Sequence, residues 1–108
     1  MKIYVGCDHA GYELRNKIVE YLEQKNYEVV NCLMNEYDKN DFYSDAANDV
    51  CEKVTNDSDS KGILVCGTGI GISIAANKVK GIRCALCTDV TMAKLTREPN
   101  DANMLSMG

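Results

Sequence analysis

One histidine, His9, stands among 108 residues, and that scarcity narrows the chemistry at once. A zinc site wants a second cysteine pair or neighbouring histidines beside Cys84-x-x-Cys87, and the sequence supplies neither. Positive charge is short as well: 12 Lys and Arg against 16 Asp and Glu leave a net charge of −4. That balance argues against nucleic acid and against an anionic membrane surface as partners. No apolar run approaches the ~20 residues that span a bilayer, and the chain opens directly on a strand pattern without a signal peptide. Familiar phosphate loops are missing too. The dinucleotide fingerprint fails because Ile72 stands where its last glycine belongs, and no Gly-Lys-Ser/Thr follows. A cysteine phosphatase needs an arginine six positions after its cysteine, and that position is again Ile72. The six cysteines are scattered through regular elements, and Cys84-x-x-Cys87 lacks the helix start of a redox pair, so they read as reduced thiols of a cytoplasmic protein.

What is present centres on residues 63–76. Ile63-Leu64-Val65-Cys66 is a short branched run that reads as a buried parallel strand reaching its carboxyl end. Gly67, Gly69 and Gly71, interleaved with Thr68 and Ile70, let the backbone turn tightly and approach a ligand closely. The Ile-Ser-Ile-Ala-Ala-Asn-Lys tract has helical spacing. Its first-turn amides and positive dipole end would point into the turn. Cys66, read as the last strand residue, would be made more thiolate-like there, as a nucleophile or proton acceptor.

The remaining chain alternates strand and helix. Lys2–Cys7 reads as a strand, Asp8–Gly11 as a turn, and Tyr12–Lys25 as an amphipathic helix with Leu14, Ile18, Tyr21 and Leu22 on one face. Tyr27–Cys32 reads as a strand, residues 33–42 as a loop, Asp45–Thr55 as a helix and Ile82–Leu86 as a strand. Asp89 caps a helix running to Arg97, and Met104-Leu105 begins a fifth strand. This order predicts an α/β fold, a three-layer α/β/α sandwich around a mostly parallel, five-stranded, Rossmann-like sheet. Ligands of such sheets bind beyond the carboxyl strand ends, where Asp8-His9 and the Cys66 turn share one rim. An isolated Asp-His turn is more often a satisfied cap. Together, the two loops favour a small anionic ligand.

With those residues in view the chain resembles the type B ribose-5-phosphate isomerase family, which includes galactose-6-phosphate and allose-6-phosphate isomerases. The resemblance spans residues 1–108 and rests on Gly6-Cys7-Asp8-His9-Ala10-Gly11, residues 66–71 with Ile74-Ala75-Ala76-Asn77-Lys78, Gly81-Ile82-Arg83, and Asn100-Asp101-Ala102-Asn103. It implies a metal-independent aldose–ketose isomerase, without a cofactor, working through an enediolate in the cytoplasm. In that reading Cys66 is the base and Thr68 handles oxygen-bound protons. The amides of Gly67, Gly69, Ile70 and Gly71 hold the enediolate, Asp8 and His9 contact the sugar phosphate, and Asn100 comes from a neighbouring subunit. The expected assembly is a homodimer or homotetramer with shared sites.

Three departures follow. Pro99 stands where the ribose isomerases carry a ring-opening histidine, which keeps a six-carbon sugar phosphate or a non-catalytic subunit of the same fold as alternatives. The family's Asp-Tyr-Pro reads Asp41-Phe42-Tyr43, so a sugar-contacting hydroxyl is lost or displaced by one residue. The family also continues past Gly108 with phosphate-binding arginines. The expectation is therefore one isomerase-like domain, 1–108, truncated at its C-terminus or dimeric, with an apolar sheet edge exposed after Met104-Leu105.

Overall fold

The computed structural model describes residues 1–32 and 43–108. Five strands, β1 (Lys2–Cys7), β2 (Glu28–Asn31), β3 (Ser60–Val65), β4 (Cys84–Leu86) and β5 (Met104–Met107), form one entirely parallel sheet in the order β2-β1-β3-β5-β4. The helices are α1 (Tyr12–Gln24), α2 (Tyr43–Thr55), α3 (Ile70–Asn77) and α4 (Val90–Arg97). Parallel neighbours need crossovers, and each helix supplies one.

Strand alternation divides the core in two. Tyr4, Leu64 and Met104 point to the side where α2 and α3 pack, with Ala46, Val50 and Ile72 between them. Ile3 and Val5 point the other way, toward Val19 and Leu22 of α1. The result is the expected three-layer α/β/α sandwich. No described helix is long and apolar enough to cross a membrane.

Several expectations change in detail. β5 inserts between β3 and β4, so the surface expected as an open apolar edge is instead a groove of ≈ 760 Å³ on the sheet face between α1 and α4. Ile63 and Leu105 line its floor. The buried positions of α1 are Arg15 and Val19, while Tyr21 is exposed. Arg15 achieves this with a long apolar stem, its guanidinium over the Tyr12 ring at 5.2 Å and its Nε donating to Asn16 Oδ1 at 2.8 Å. α2 begins at Tyr43, two residues before the expected start; the loop expected at 33–42, with Asp41 and Phe42, lies outside the described residues.

β4 is shorter than expected because the Ile82 amide closes a turn onto the Val79 carbonyl and the Arg83 amide is taken by Asn103 Oδ1. The outer margin of the strand is completed by a side chain. Asn77, at the end of α3, donates Nδ2 to the Cys84 carbonyl and accepts the Cys84 amide on Oδ1, both at 2.8 Å. A primary amide presents the same donor and acceptor as a peptide group, so Asn77 stands in for one residue of a further strand. Cys84 sits in the core beneath α3, whereas Cys87 lies on the α4 side against Thr88 and Ala93. All six cysteines are free thiols.

Candidate active site

The carboxyl ends of β1 and β3 are tied together before any ligand is considered. The Asp8 amide donates to the Val65 carbonyl at 3.2 Å, and the Cys66 amide donates to the Met107 carbonyl at 3.2 Å. Cys66 therefore continues the ladder one residue past β3. Asp8 caps a single 3-10 turn, His9–Gly11, by accepting the Gly11 amide on Oδ1 at 3.1 Å. The structural role of an Asp-His turn is thus realised at Asp8, and the same cap holds His9 on the rim. Gly11 lies so close to Val65 that an added Cβ would stand 2.4 Å from its carbonyl oxygen. Only glycine permits that approach.

The glycine turn folds over the sulfur. Gly69 adopts φ 80°, the left-handed conformation that glycine enters at little cost, and starts α3 without a side-chain cap. In that pose its amide donates to Cys66 Sγ at 3.1 Å. The Ile70 amide donates to Thr68 Oγ1 at 3.1 Å. The sulfur is buried, packed among core side chains at the base of the turn and not out on an open loop edge. An amide donor on sulfur beside a helix N-terminus is the polarity an anionic base requires.

Two contributors, Ser106 and Gly108, carried no signal in the sequence, and a third, Tyr43, was marked only as the displaced tyrosine of Asp41-Phe42-Tyr43. Ser106 of β5, fully buried, donates Oγ to the Gly69 carbonyl at 3.1 Å and so braces the turn from below. Gly108 packs against Thr68 and Gly67. The Tyr43 ring lies over Gly71, where an added Cβ would meet it at 3.1 Å. An unbroken alternation in a short strand gives no hint that Ser106 faces a turn 37 residues away.

Burial pushes four other thiols upward. Cys32 and Cys51 are raised to about 11, chiefly by desolvation, with Asp49 adding to Cys32 and Cys84 to Cys51. Cys84 and Cys87 are also raised by burial. With Cys84 under α3 and Cys87 on the opposite face, the pair is not arranged as a redox couple.

The structure brings Asp8, His9, Cys66, Gly67, Thr68, Gly69, Ile70 and Gly71 to one end of the sheet. Asn100 is elsewhere. It lies in the turn between α4 and β5, and its Nδ2 donates to the Leu95 carbonyl at 3.0 Å. From that turn β5 runs four residues, about 13 Å, before reaching the level of Cys66. Asn100 cannot reach the Cys66 of its own chain without dismantling β5.

The sequence profile of the family described as Ribose/Galactose Isomerase matches residues 3–108. A ribose-5-phosphate isomerase B of Mycobacterium tuberculosis is 43% identical over 108 residues, all of this chain and 67% of its own. A ribose-5-phosphate isomerase B structure from Clostridium thermocellum superposes with a TM-score of 0.95 at 47% identity, covering 100% of this chain and 72% of that one. One from Mycoplasma genitalium with bound ribulose-5-phosphate gives 0.91 at 44% identity, covering 96% and 69%.

Proposed function

The chain belongs to the ribose/galactose isomerase family, and from that premise we propose that it interconverts ribose 5-phosphate and ribulose 5-phosphate at the Cys66 rim. The observation that carries this reading is the Gly69 amide set on Cys66 Sγ beneath the glycine turn, with Asp8 and His9 on the same rim.

The chemistry follows from the groups present. Cys66, as thiolate, removes the proton from C2 of the open aldose while the electron pair moves toward the C1 oxygen, giving an enediolate. With the Gly69 and Ile70 amides already set on Cys66 Sγ and Thr68 Oγ1, the Gly67 and Gly71 amides are the donors left for the oxygen where charge develops; one such donor is typically worth about 100- to 1000-fold in rate. Thr68 passes a proton between O1 and O2, and Cys66 returns its proton to C1 to leave the ketose. Asp8 and His9 hold the sugar phosphate. Asn100, remote from its own Cys66, serves a second copy of the chain in a homodimer or homotetramer. Ile70 and Ile74, exposed one turn apart on α3 beside the glycine turn, give that copy an apolar surface to cover. The six free thiols suit the reducing cytoplasm.

Pro99 favours one further reading. Proline has no proton to give to a sugar ring, so ring-closed ribose 5-phosphate is a poorer fit here than a substrate that enters open, and a six-carbon sugar phosphate stays in view. A coupled assay with ribose 5-phosphate, galactose 6-phosphate and allose 6-phosphate separates these. Turnover of ribose 5-phosphate alone supports the pentose reading, and preference for a hexose phosphate replaces it. No turnover of any of the three turns the chain into a non-catalytic subunit.

A further inference from the structure

Two motifs are left over once the rim is assembled: Gly81-Ile82-Arg83 before β4 and Asn100-Asp101-Ala102-Asn103 before β5. They form one object. Arg83 directs Nε and Nη2 at the Asn100 carbonyl, at 3.0 and 2.7 Å. Its own amide donates to Asn103 Oδ1 at 2.9 Å, and Asn103 Nδ2 donates to the Gly81 carbonyl at 2.9 Å. The Arg83 carbonyl accepts the amides of Asn103 and Met104 at 3.1 and 3.2 Å. Across the turn, Arg97 Nη1 donates to Asp101 Oδ1 at 3.1 Å and to the Ala102 carbonyl. Asp101 is held at φ 50°, an unusual conformation for a residue with a side chain, and these contacts hold it there.

Effort of this kind around an exposed turn needs a reason. The turn contributes no buried apolar side chain at Pro99, Asn100 or Asp101, all of which are exposed. Ala102 beside them is buried, but its carbonyl is held by Arg97, so core packing does not account for the Arg83 fork. What the clamp does fix is the Pro99-Asn100 tip, because the one carbonyl that Arg83 grips belongs to Asn100. A guanidinium supplies two donors in a rigid fork, which an ammonium cannot.

We propose that Arg83 is a positioning residue for the isomerase reaction, holding the Pro99-Asn100 tip in the shape in which it completes the Cys66 site of a second copy of the chain. This rests on the shared-site reading above. Misplacing a substrate-contacting group by about 1 Å costs on the order of 100-fold in rate. Arg83→Ala should therefore lower kcat/KM by ~10- to 100-fold, with Arg83→Lys recovering part of it.

The decisive test mixes chains. Cys66→Ala chains lack the base and keep the tip; Arg83→Ala chains keep the base and lose the tip. Neither is active alone at parental level. Unfolded together and refolded, they should regain activity at about one quarter of all sites, since half the dimers are mixed and half their sites are intact. A parallel mixture of Cys66→Ala with Asn100→Ala tests the shared site itself. Recovery in both mixtures supports the proposal. Recovery with Asn100→Ala but not with Arg83→Ala overturns it while leaving the shared site standing, because Arg83 then acts within its own chain. No recovery in either overturns the shared site. A readout independent of turnover accompanies these: amide exchange at Asp101 and Ala102 should accelerate in Arg83→Ala and partly in Arg83→Lys, while β3 and α3 stay protected. Unchanged exchange there would overturn the clamp.

Discussion

Gly11→Ala puts the packing of the rim under direct strain. An alanine Cβ at residue 11 would lie 2.4 Å from the Val65 oxygen, 2.6 Å from its carbonyl carbon and 2.8 Å from Cγ1. Comfortable separations are about 3.5 Å, so roughly 1 Å must be recovered. The obstacle is backbone of the central strand, which is paired on both sides and cannot step back. The turn must move instead, and it is held by the Asp8 amide on that same oxygen. Overpacking of this kind plus one weakened buried hydrogen bond comes to about 3 kcal/mol. For a domain of this size that is ~12–24 °C in Tm. Thermal unfolding followed by circular dichroism reads it, with Gly67→Ala as the comparison. There the nearest atom to an added Cβ, that of Ala10, is at 3.5 Å, an ordinary contact, so its Tm should stay within about 4 °C of the parent. Turnover of Gly11→Ala should fall as well, because displacing the turn carries His9 away from Cys66. A Gly11→Ala chain that melts like the parent would refute the claim that this approach sets the distance between the two loops.

Cys66→Ala should lose about 100- to 10,000-fold in kcat, the range for a positioned acid–base group, and equal turnover in variant and parent would remove Cys66 from the chemistry. Cys51→Ala, in the core against Met104 Sδ at 3.7 Å, should instead lower Tm and leave kcat nearly unchanged. On the alkaline side, Cys32 and Cys51 stay protonated in the fold up to about 11 but ionise at their ordinary value near 9 once unfolded, so the stability they confer is full below about pH 8.5 and lost as pH rises toward 11. Denaturant midpoints across that interval check the slope, and a flat profile would contradict it. Pro99→His should raise turnover of ring-closed ribose 5-phosphate, by at most ~100- to 10,000-fold, with little change for ribulose 5-phosphate in reverse; equal effects in both directions would show that residue 99 does not govern ring opening. Asn77→Ala leaves the Cys84 amide and carbonyl without partners, at a cost of about 1–3 kcal/mol, which urea unfolding should register.

Local pattern made most of the elements readable. The branched run at 63–65, the Asp89 cap and the glycine turn each announce themselves within a few residues, and the Asp89 carboxylate does accept the Met92 amide, at 2.8 Å. Two kinds of information were not local. Strand order is one: nothing in Met104-Leu105 says that β5 pairs with β3 before β4, because that choice is made by a crossover. The buried face of α1 is the other, since the rule that charges stay outside misplaces Arg15, whose stem packs while its head meets a ring. At the rim, the residue types that bear chemistry were visible, but the supports were not. Ser106 reaches the glycine turn from a distant strand and does not stand out where it occurs, while Tyr43 was legible as a displaced hydroxyl but not as a ring over Gly71.

The Asn77 amide lying along β4 also bears on how this chain behaves in company. A bare strand margin invites any extended segment to add on, whether from a neighbour or from an unfolding copy, and each addition exposes a fresh margin for the next. Here the Cys84 groups that such a segment would grip are already taken. Strand templating is therefore blocked at Cys84 by one side chain, where an added segment would otherwise begin to pair. Union between copies on that side then falls to helix surfaces such as Ile70 and Ile74 of α3, where a self-complementary two-fold contact would close at two subunits.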